Sequence, residues 1–305
     1  MILLPSIERK TKWFIYKSLS LLSVIRGYNV LVVILAQYLT SIFILSENST
    51  FKQVLFDRRL FCIIFASAIS IASGYIINNF YDSEKDLINR PQKSKLDRLV
   101  SQQKKLTIYF IFNFVAVIIA SYVSFRAVLF FSVYIFGIWF YSHKLKKIPL
   151  VGNLVATFLA MLPFFAIFVY YKNYNSVIFV HAIFLLFIIF MKELVKDLEN
   201  LKGDIASGYN TIPAVYGEKV SKSILYTVII ACIITAITLI KLFPLGSMHY
   251  YFYLGISALV LFGVLLSNAN SKREYIHLHN ILKFIIVTGV FGILLINPSI
   301  LIKMF

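Results

Sequence analysis

Charge is what this sequence is short of. Only 14% of its 305 residues are Asp, Glu, Lys or Arg, against roughly 25% in water-soluble domains. With 60% hydrophobic residues and a mean hydropathy of +0.83, too little polar surface exists to cover a soluble fold. Lipid is the solvent this composition requires. Acids are scarcest: thirteen Asp and Glu face thirty Lys and Arg, for a net charge of +17. In a soluble chain that imbalance would suggest nucleic acid. Here basic residues anchoring membrane loops account for it, and no nucleic-acid partner is expected. Cysteine is limited to Cys62 and Cys232, both inside apolar runs, so no disulfide framework is expected. His143, His181, His249, His277 and His279 show no metal-ligand spacing and read as interfacial residues. Linkers of low complexity and internal repeats are missing. No cleavable leader is evident either, because Pro5 and Arg9, Lys10 and Lys12 interrupt the first apolar stretches.

What the chain does have is apolar runs, at about 22–46, 60–80, 106–124, 126–142, 150–171, 176–195, 222–243, 250–268 and 281–298. Each is near the ~20 residues that cross a bilayer as a helix. They are continuous rather than alternating, which favours helices over a barrel. Short joints, as near Arg126, imply antiparallel neighbours. The expectation is an all-α bundle of nine transmembrane helices forming one domain, 1–305. With a cytoplasmic N-terminus, the inside segments hold Arg9, Lys10, Lys12, Lys17, Arg26, the basic group at 85–105, Lys144, Lys146, Lys147, Lys192, Lys196, Lys202, Lys219, Lys222, Lys272, Arg273 and Lys283. The outside segments hold only Lys52, Arg58, Arg59, Arg126, Lys172, Lys241 and Lys303. This asymmetry sets the orientation.

Eight of the thirteen acids fall in two short segments, both on the expected cytoplasmic side. Asp82, Glu84, Asp86 and Asp97 follow the second run; Glu193, Asp197, Glu199 and Asp204 follow the sixth. Ionisable groups at membrane depth cost a few kcal/mol each, so such clusters need a reason. Residues four apart share a helix face. Asn78, Asp82 and Asp86 therefore form a ladder of oxygen donors, and Glu193 with Asp197, and Asn200 with Asp204, form a second. Carboxylates a turn apart repel unless a cation lies between them. Hard oxygen donors suit Mg²⁺, which binds one or two carboxylates together with substrate phosphates. Lys85, Arg90, Lys93, Lys144, Lys146 and Lys196 stand beside the ladders as phosphate ligands. A bundle with a polar mouth and an apolar interior suits a diphosphate on a long hydrocarbon tail. Its 29 Phe and 19 Tyr residues are compatible with walls that stabilise an allylic cation.

These residues resemble the UbiA superfamily of intramembrane prenyltransferases. The family's first motif, N-x-x-x-D-x-x-x-D, is matched by Asn78, Asp82 and Asp86, and is followed by Asn89-Arg90-Pro91. Its second motif looks like Lys196-Asp197 through Asn200 to Gly203-Asp204. Weaker matches are Arg26 with Asn29, Tyr141 with Lys146, and Gly152-Asn153. Position 200 is Asn where the family usually carries an Asp, which leaves Asp197 as the carboxylate that compensates.

The resemblance implies a nine-helix bundle with a central cavity opening near the cytoplasmic side, and Mg²⁺-dependent transfer from an isoprenyl diphosphate to a lipophilic acceptor. It makes Asn78, Asp82, Asp86, Asp197, Asn200 and Asp204 the metal ligands, with Tyr141 beside the reacting group. Arg26, Lys85, Arg90, Lys146 and Lys196 become the diphosphate ligands. The stretch 192–208 looks closest to the geranylgeranylglyceryl phosphate branch, with an aromatic quinone precursor as the next acceptor class. The expected setting is the inner (cell) membrane of a bacterium, the site facing the cytoplasm. The alternative is a multi-helix transporter using the acidic clusters as an ion or substrate site, although transporter acids usually lie nearer the midplane.

Overall fold

Apolar runs this long become helices because lipid offers backbone groups no partner but one another. The computed structural model describes residues 6–46 and 50–296, with side chains from Ile15 onward. The helices are α1 (Ser6–Val24), α2 (Gly27–Thr40, prolonged by a π-helical turn, Ser41–Leu45), α3 (Phe51–Leu55), α4 (Arg58–Tyr81), α5 (Ser83–Asn89), α6 (Pro91–Asp97) and α7 (Gln102–Ser121). They continue as α8 (Phe125–His143), α9 (Val151–Tyr171), α10 (Ser176–Ala206), α11 (Ile212–Leu242), α12 (His249–Asn268) and α13 (Lys272–Gly292). No strand occurs among the described residues. Nine of these segments, from Gly27–Leu45 to Lys272–Leu295, are long and apolar enough to cross a membrane, as expected. The end of the ninth run, residues 297–298, Lys303, and the first five residues on which the absence of a leader partly rests lie outside the described residues.

Apolar runs understate the helices at their polar ends. The sixth run stops near 195, and α10 continues to Ala206, carrying the second acid ladder on its own last turns as the helical spacing expected. α11 begins at Ile212, ten residues before its apolar run, with a break at Gly217 (φ 80°). α13 begins at Lys272, where Ser271 and Glu274 form a reciprocal cap. Hydropathy reports where side chains meet lipid; backbone hydrogen bonding continues wherever a cap or a neighbouring helix receives the next turn.

Two helices organise the bundle. α4 buries Ala66, Ser67, Ala68, Ser70, Ala72, Ser73 and Gly74, small residues that let α7, α8, α2 and α9 approach closely. α10 is surrounded by α9, α11 and α13. Asp57 caps α4 by accepting from the Arg59 and Leu60 amides at 2.9 and 3.3 Å, and it also takes the Tyr170 hydroxyl at 2.6 Å.

Asp97 belongs to the first acidic segment in sequence but serves the scaffold. It accepts from Ser23 Oγ at 2.8 Å and Asn79 Nδ2 at 3.1 Å, with Lys93 at 3.8 Å. Asn79 Oδ1 in turn accepts from buried Lys105 Nζ at 2.8 Å. This network ties α1, α4, α6 and α7 together. Removing one partner strands the others, at about 2–4 kcal/mol. Asp97→Ala should therefore lower the thermal midpoint of the detergent-solubilised protein, followed by circular dichroism. An unchanged midpoint would show that the network carries no stability.

Candidate active site

α4 ends at Tyr81, and Asp82 (φ −88°, ψ 2°) marks the bend into α5. Helical hydrogen bonding runs through the bend: the Asp82 amide reaches Asn78 O at 2.9 Å, and the Asp86 amide reaches Asp82 O at 2.8 Å. Asn78 and Asp82 are joined as the spacing predicted, Nδ2 donating to Oδ2 at 3.1 Å. Lys146, on the short turn Leu145–Lys147, pairs with Asp82 and donates to Asn78 Oδ1 at 2.7 Å. Tyr209 donates its hydroxyl to the other Asp82 oxygen at 3.1 Å.

The second ladder meets the first across Lys85. Its Nζ is 2.9 Å from Asp204 Oδ1 and 4.0 Å from Asp82 Oδ1, and it lies 4.3 Å from the centre of the Tyr209 ring. Thr211 donates to the second Asp204 oxygen at 3.3 Å. Asp197 accepts from Asn153 Nδ2 at 2.7 Å. Glu193 pairs with Lys196 and, at 3.1 Å, with Lys192. A small cleft is lined by Lys85, Tyr141, Lys146, Asn153, Glu193, Lys196, Asp197 and Tyr209, among others.

Electrostatics follow from this crowding. Burial opposes ionisation of Asp82, but Lys146 and Lys85 outweigh it and hold the carboxyl at about 2. Burial pushes Lys146 down to about 8, against the pull of Asp82. Burial and then the Asp82 charge drive the Tyr209 phenol well above its ordinary range, so it stays a donor.

Backbone approach permits this assembly at two glycines. Gly203 on α10 lies so close to α5 that a Cβ there would come within 2.3–2.6 Å of the Asn89 side chain, whose Oδ1 accepts the Gly203 amide at 3.1 Å. At Gly152 a Cβ would be 3.0 Å from the carbonyl of Lys146, so this glycine seats the lysine-bearing turn on α9.

Of the sequence candidates, Asn78, Asp82, Lys85, Tyr141, Lys146, Lys196, Asp197 and Asp204 converge on the cleft or its immediate rim. Asn200 is buried on the same stripe of α10, its Oδ1 without a hydrogen-bond partner. Two candidates go elsewhere, whereas Asp86, one helical turn beyond Asp82, is half-buried and makes no side-chain hydrogen bond or ion pair among the described residues. Arg90 reaches Glu199 at 2.8 Å instead of lining the cleft. Arg26 lies over the Tyr75 ring at 5.0 Å, in the left-handed break before α2 (φ 49°). His279 is not interfacial: it is buried with Nδ1 2.8 Å from Glu199. Tyr209 and Thr211 were missed. A Tyr near a helix end is ordinary in membrane proteins, and only the loop after α10 brings it over Asp82.

A mouth of paired acids and lysines, set into an apolar helical bundle, defines an intramembrane enzyme for a substrate with a polyanionic head and a greasy tail. The model of the UbiA prenyltransferase family matches residues 34–284. The chain is 30% identical over 264 residues to digeranylgeranylglyceryl phosphate synthase of Methanobrevibacter smithii, covering 82% of this chain and 88% of that one. It is 28% identical over 289 residues to the synthase of the same name from Methanospirillum hungatei, covering 90% and 95%. A solved structure of digeranylgeranylglyceryl phosphate synthase superposes with a TM-score of 0.68 at 19% identity, over 93% of this chain and 99% of the other. A UbiA homologue from Archaeoglobus fulgidus bound to GPP and Mg²⁺ superposes with a TM-score of 0.66 at 14% identity, over 90% and 99%. The chain belongs to the UbiA prenyltransferase family and is an integral membrane enzyme that transfers prenyl groups, which sets aside the transporter alternative.

Proposed function

We propose that the chain, acting as one domain, transfers a prenyl group from an isoprenyl diphosphate to a lipophilic phosphate acceptor of the geranylgeranylglyceryl phosphate type, with Mg²⁺. The observation that carries this reading is the meeting of Asn78 and Asp82 with Asp204 across Lys85, beside a cleft that also holds Asp197 and Lys146. The acceptor class rests on the synthases named above. Loop charge supports a cell-membrane enzyme whose mouth faces the cytoplasm.

The donor set fits a hard cation. Asn78, Asp82, Asp197, Asn200 and Asp204 offer only oxygens, and Asn200 Oδ1 is buried and unused. Asp86, half-buried at the rim, would join once substrate is present. Bound there, Mg²⁺ would neutralise the leaving diphosphate. The chain's own residues do the rest. Lys85, Lys146 and Lys196 each already hold an acid and stand ready to take phosphate oxygens. Tyr209 orients Asp82 through its hydroxyl. Tyr141, on the cleft wall, offers an aromatic face to the allylic cation that forms as the C–O bond breaks. The apolar bundle beyond the mouth excludes the water that would quench that cation.

The test is to incubate the purified protein in lipid vesicles with geranylgeranyl diphosphate, geranylgeranylglyceryl phosphate and Mg²⁺, scoring ether product and released diphosphate. Product should form, and chelation should cut it roughly a hundredfold or more. Product with an aromatic quinone precursor alone would refute the acceptor class; full turnover in chelator would refute the metal.

A further inference from the structure

The two oxygen ladders differ in charge once the lysines that hold them are included. Glu193, Asp197 and Asp204 are the carboxylates of the second ladder. Lys192 and Lys196 both pair with Glu193, and Lys85 pairs with Asp204 at 2.9 Å. Three lysines therefore balance three acids, and Asn200 adds an oxygen without charge. The first ladder sets Asp82 and Asp86 against Lys146 alone. It keeps a surplus of negative charge, and half-buried Asp86 makes no ion pair among the described residues. The other acids of the two segments lie elsewhere. Asp97 is held in the scaffold, Glu199 is shared by Arg90 and His279, and Glu84 is exposed.

Lys85 is fastened where it stands. It is buried, and Asp204 is wholly so. Its Nζ also lies 4.0 Å from Asp82 Oδ1 and 4.3 Å from the centre of the Tyr209 ring. Thr211 takes the second Asp204 oxygen at 3.3 Å, so both oxygens of that acid are engaged. The backbone carrying Lys85 is pinned one turn further along α5. There Asn89 Oδ1 accepts the Gly203 amide at 3.1 Å, next to Asp204 in the chain, and the Asn89 carbonyl accepts from Lys272. Moving the ammonium away would leave Asp204 buried and uncompensated, the strongly unfavourable way to break a buried pair. The ammonium thus stands between the last acid of one ladder and the middle acid of the other, a position from which one cation neutralises both.

We infer that Lys85 is a resident cation that takes the place of a divalent ion on the second ladder, so that the chain binds its diphosphate with a single Mg²⁺, held by Asn78, Asp82 and Asp86. The inference rests on the metal reading above and narrows it. Asp204 becomes the counter-ion of Lys85 rather than a metal ligand, and Asn200 is the neutral residue this arrangement requires. A carboxylate at position 200 would give the second ladder more negative charge than its lysines balance, and with it a reason to take an ion of its own. Mg²⁺ needs only one or two carboxylates together with substrate phosphates, and the first ladder supplies them. An ammonium brings both charge and hydrogen-bond donors to a phosphate oxygen, and no chelator removes it.

The test counts Mn²⁺ bound to the detergent-solubilised chain in the presence of geranylgeranyl S-thiolodiphosphate, an unreactive analogue of the donor, by electron paramagnetic resonance of the free ion. The wild type should hold about one ion per chain, and Lys85→Arg should do the same. Lys85→Met combined with Asn200→Asp should hold about two, because both changes make the second ladder more negative. Asp86→Asn should weaken the wild-type ion about tenfold or more. Circular dichroism on the same samples shows whether each variant is folded. Two ions on the wild type overturn the inference and leave the metal reading standing; no ion on the wild type overturns both. A folded double variant that still holds one ion shows that Lys85 is not what excludes the second, and an ion indifferent to Asp86→Asn is not held by the first ladder; either result overturns the inference. Should the double variant fail to fold, the wild-type count decides by itself.

Discussion

Asp82→Asn should cut prenyl transfer about a thousandfold, close to 4 kcal/mol of barrier. Asp82 is the most connected group at the site: Lys146, Asn78 and Tyr209 all bond it, and Lys85 lies 4.0 Å away. The substitution keeps the shape and removes the charge that holds both lysines and would hold a divalent ion. It also leaves Lys146 buried without its counter-charge, so some stability is lost with the activity. Adding Lys146→Met should restore the thermal midpoint without restoring turnover. Asp204→Asn should cost a similar factor. The double variant should be little worse than either single one, because the two acids act through the shared Lys85 bridge and the same bound head group. Steady-state assays in vesicles, with circular dichroism on the same preparations, decide this. An Asp82→Asn enzyme within tenfold of the wild type would remove Asp82 from the chemistry.

The second large effect is steric. Gly203→Ala should lower activity roughly a hundredfold through displacement alone, with no charge changed. The added methyl would overlap the buried Asn89 amide at 2.3–2.6 Å, which can keep its bond to the residue 203 amide only if α5 shifts off α10. α5 carries Lys85, so the contact to Asp204 at 2.9 Å opens with it. Overpacking of this kind costs about 1–3 kcal/mol of stability. Asn89→Ala in the same chain removes the obstruction and should recover much of the lost rate. If Gly203→Ala is fully active, the close seating of α5 on α10 is not what assembles the site. If Asn89→Ala gives no recovery, the steric cause is wrong.

Much of this was readable from residue spacing. Asn78 with Asp82, and Asp197, Asn200 and Asp204, share helix faces because backbone geometry places every fourth residue on one stripe, whatever the surroundings. Asp86 continues that spacing through the helical bonds at Asp82, but that its carboxylate stands half-buried without a partner is not something spacing contains. Asp97 reads as one more acid in a cluster, yet it bonds Ser23 and Asn79 within the scaffold. His279 reads as interfacial because the histidines show no metal-ligand spacing, while its partner Glu199 lies eighty positions away. Arg90 stands beside a metal motif in the chain but turns to the same Glu199.

By itself, the sequence determined the solvent, the number of crossings and the position of each oxygen donor along its own helix. These follow from composition and from hydrogen bonds made within one segment. Only the tertiary structure decided which cation meets which acid. Lys146 and Asp82 are 64 positions apart, Tyr209 and Asp82 are 127, and Arg90 and Glu199 are 109. Such pairings depend on how neighbouring helices rotate and how closely a glycine lets them approach, and no single helix encodes either.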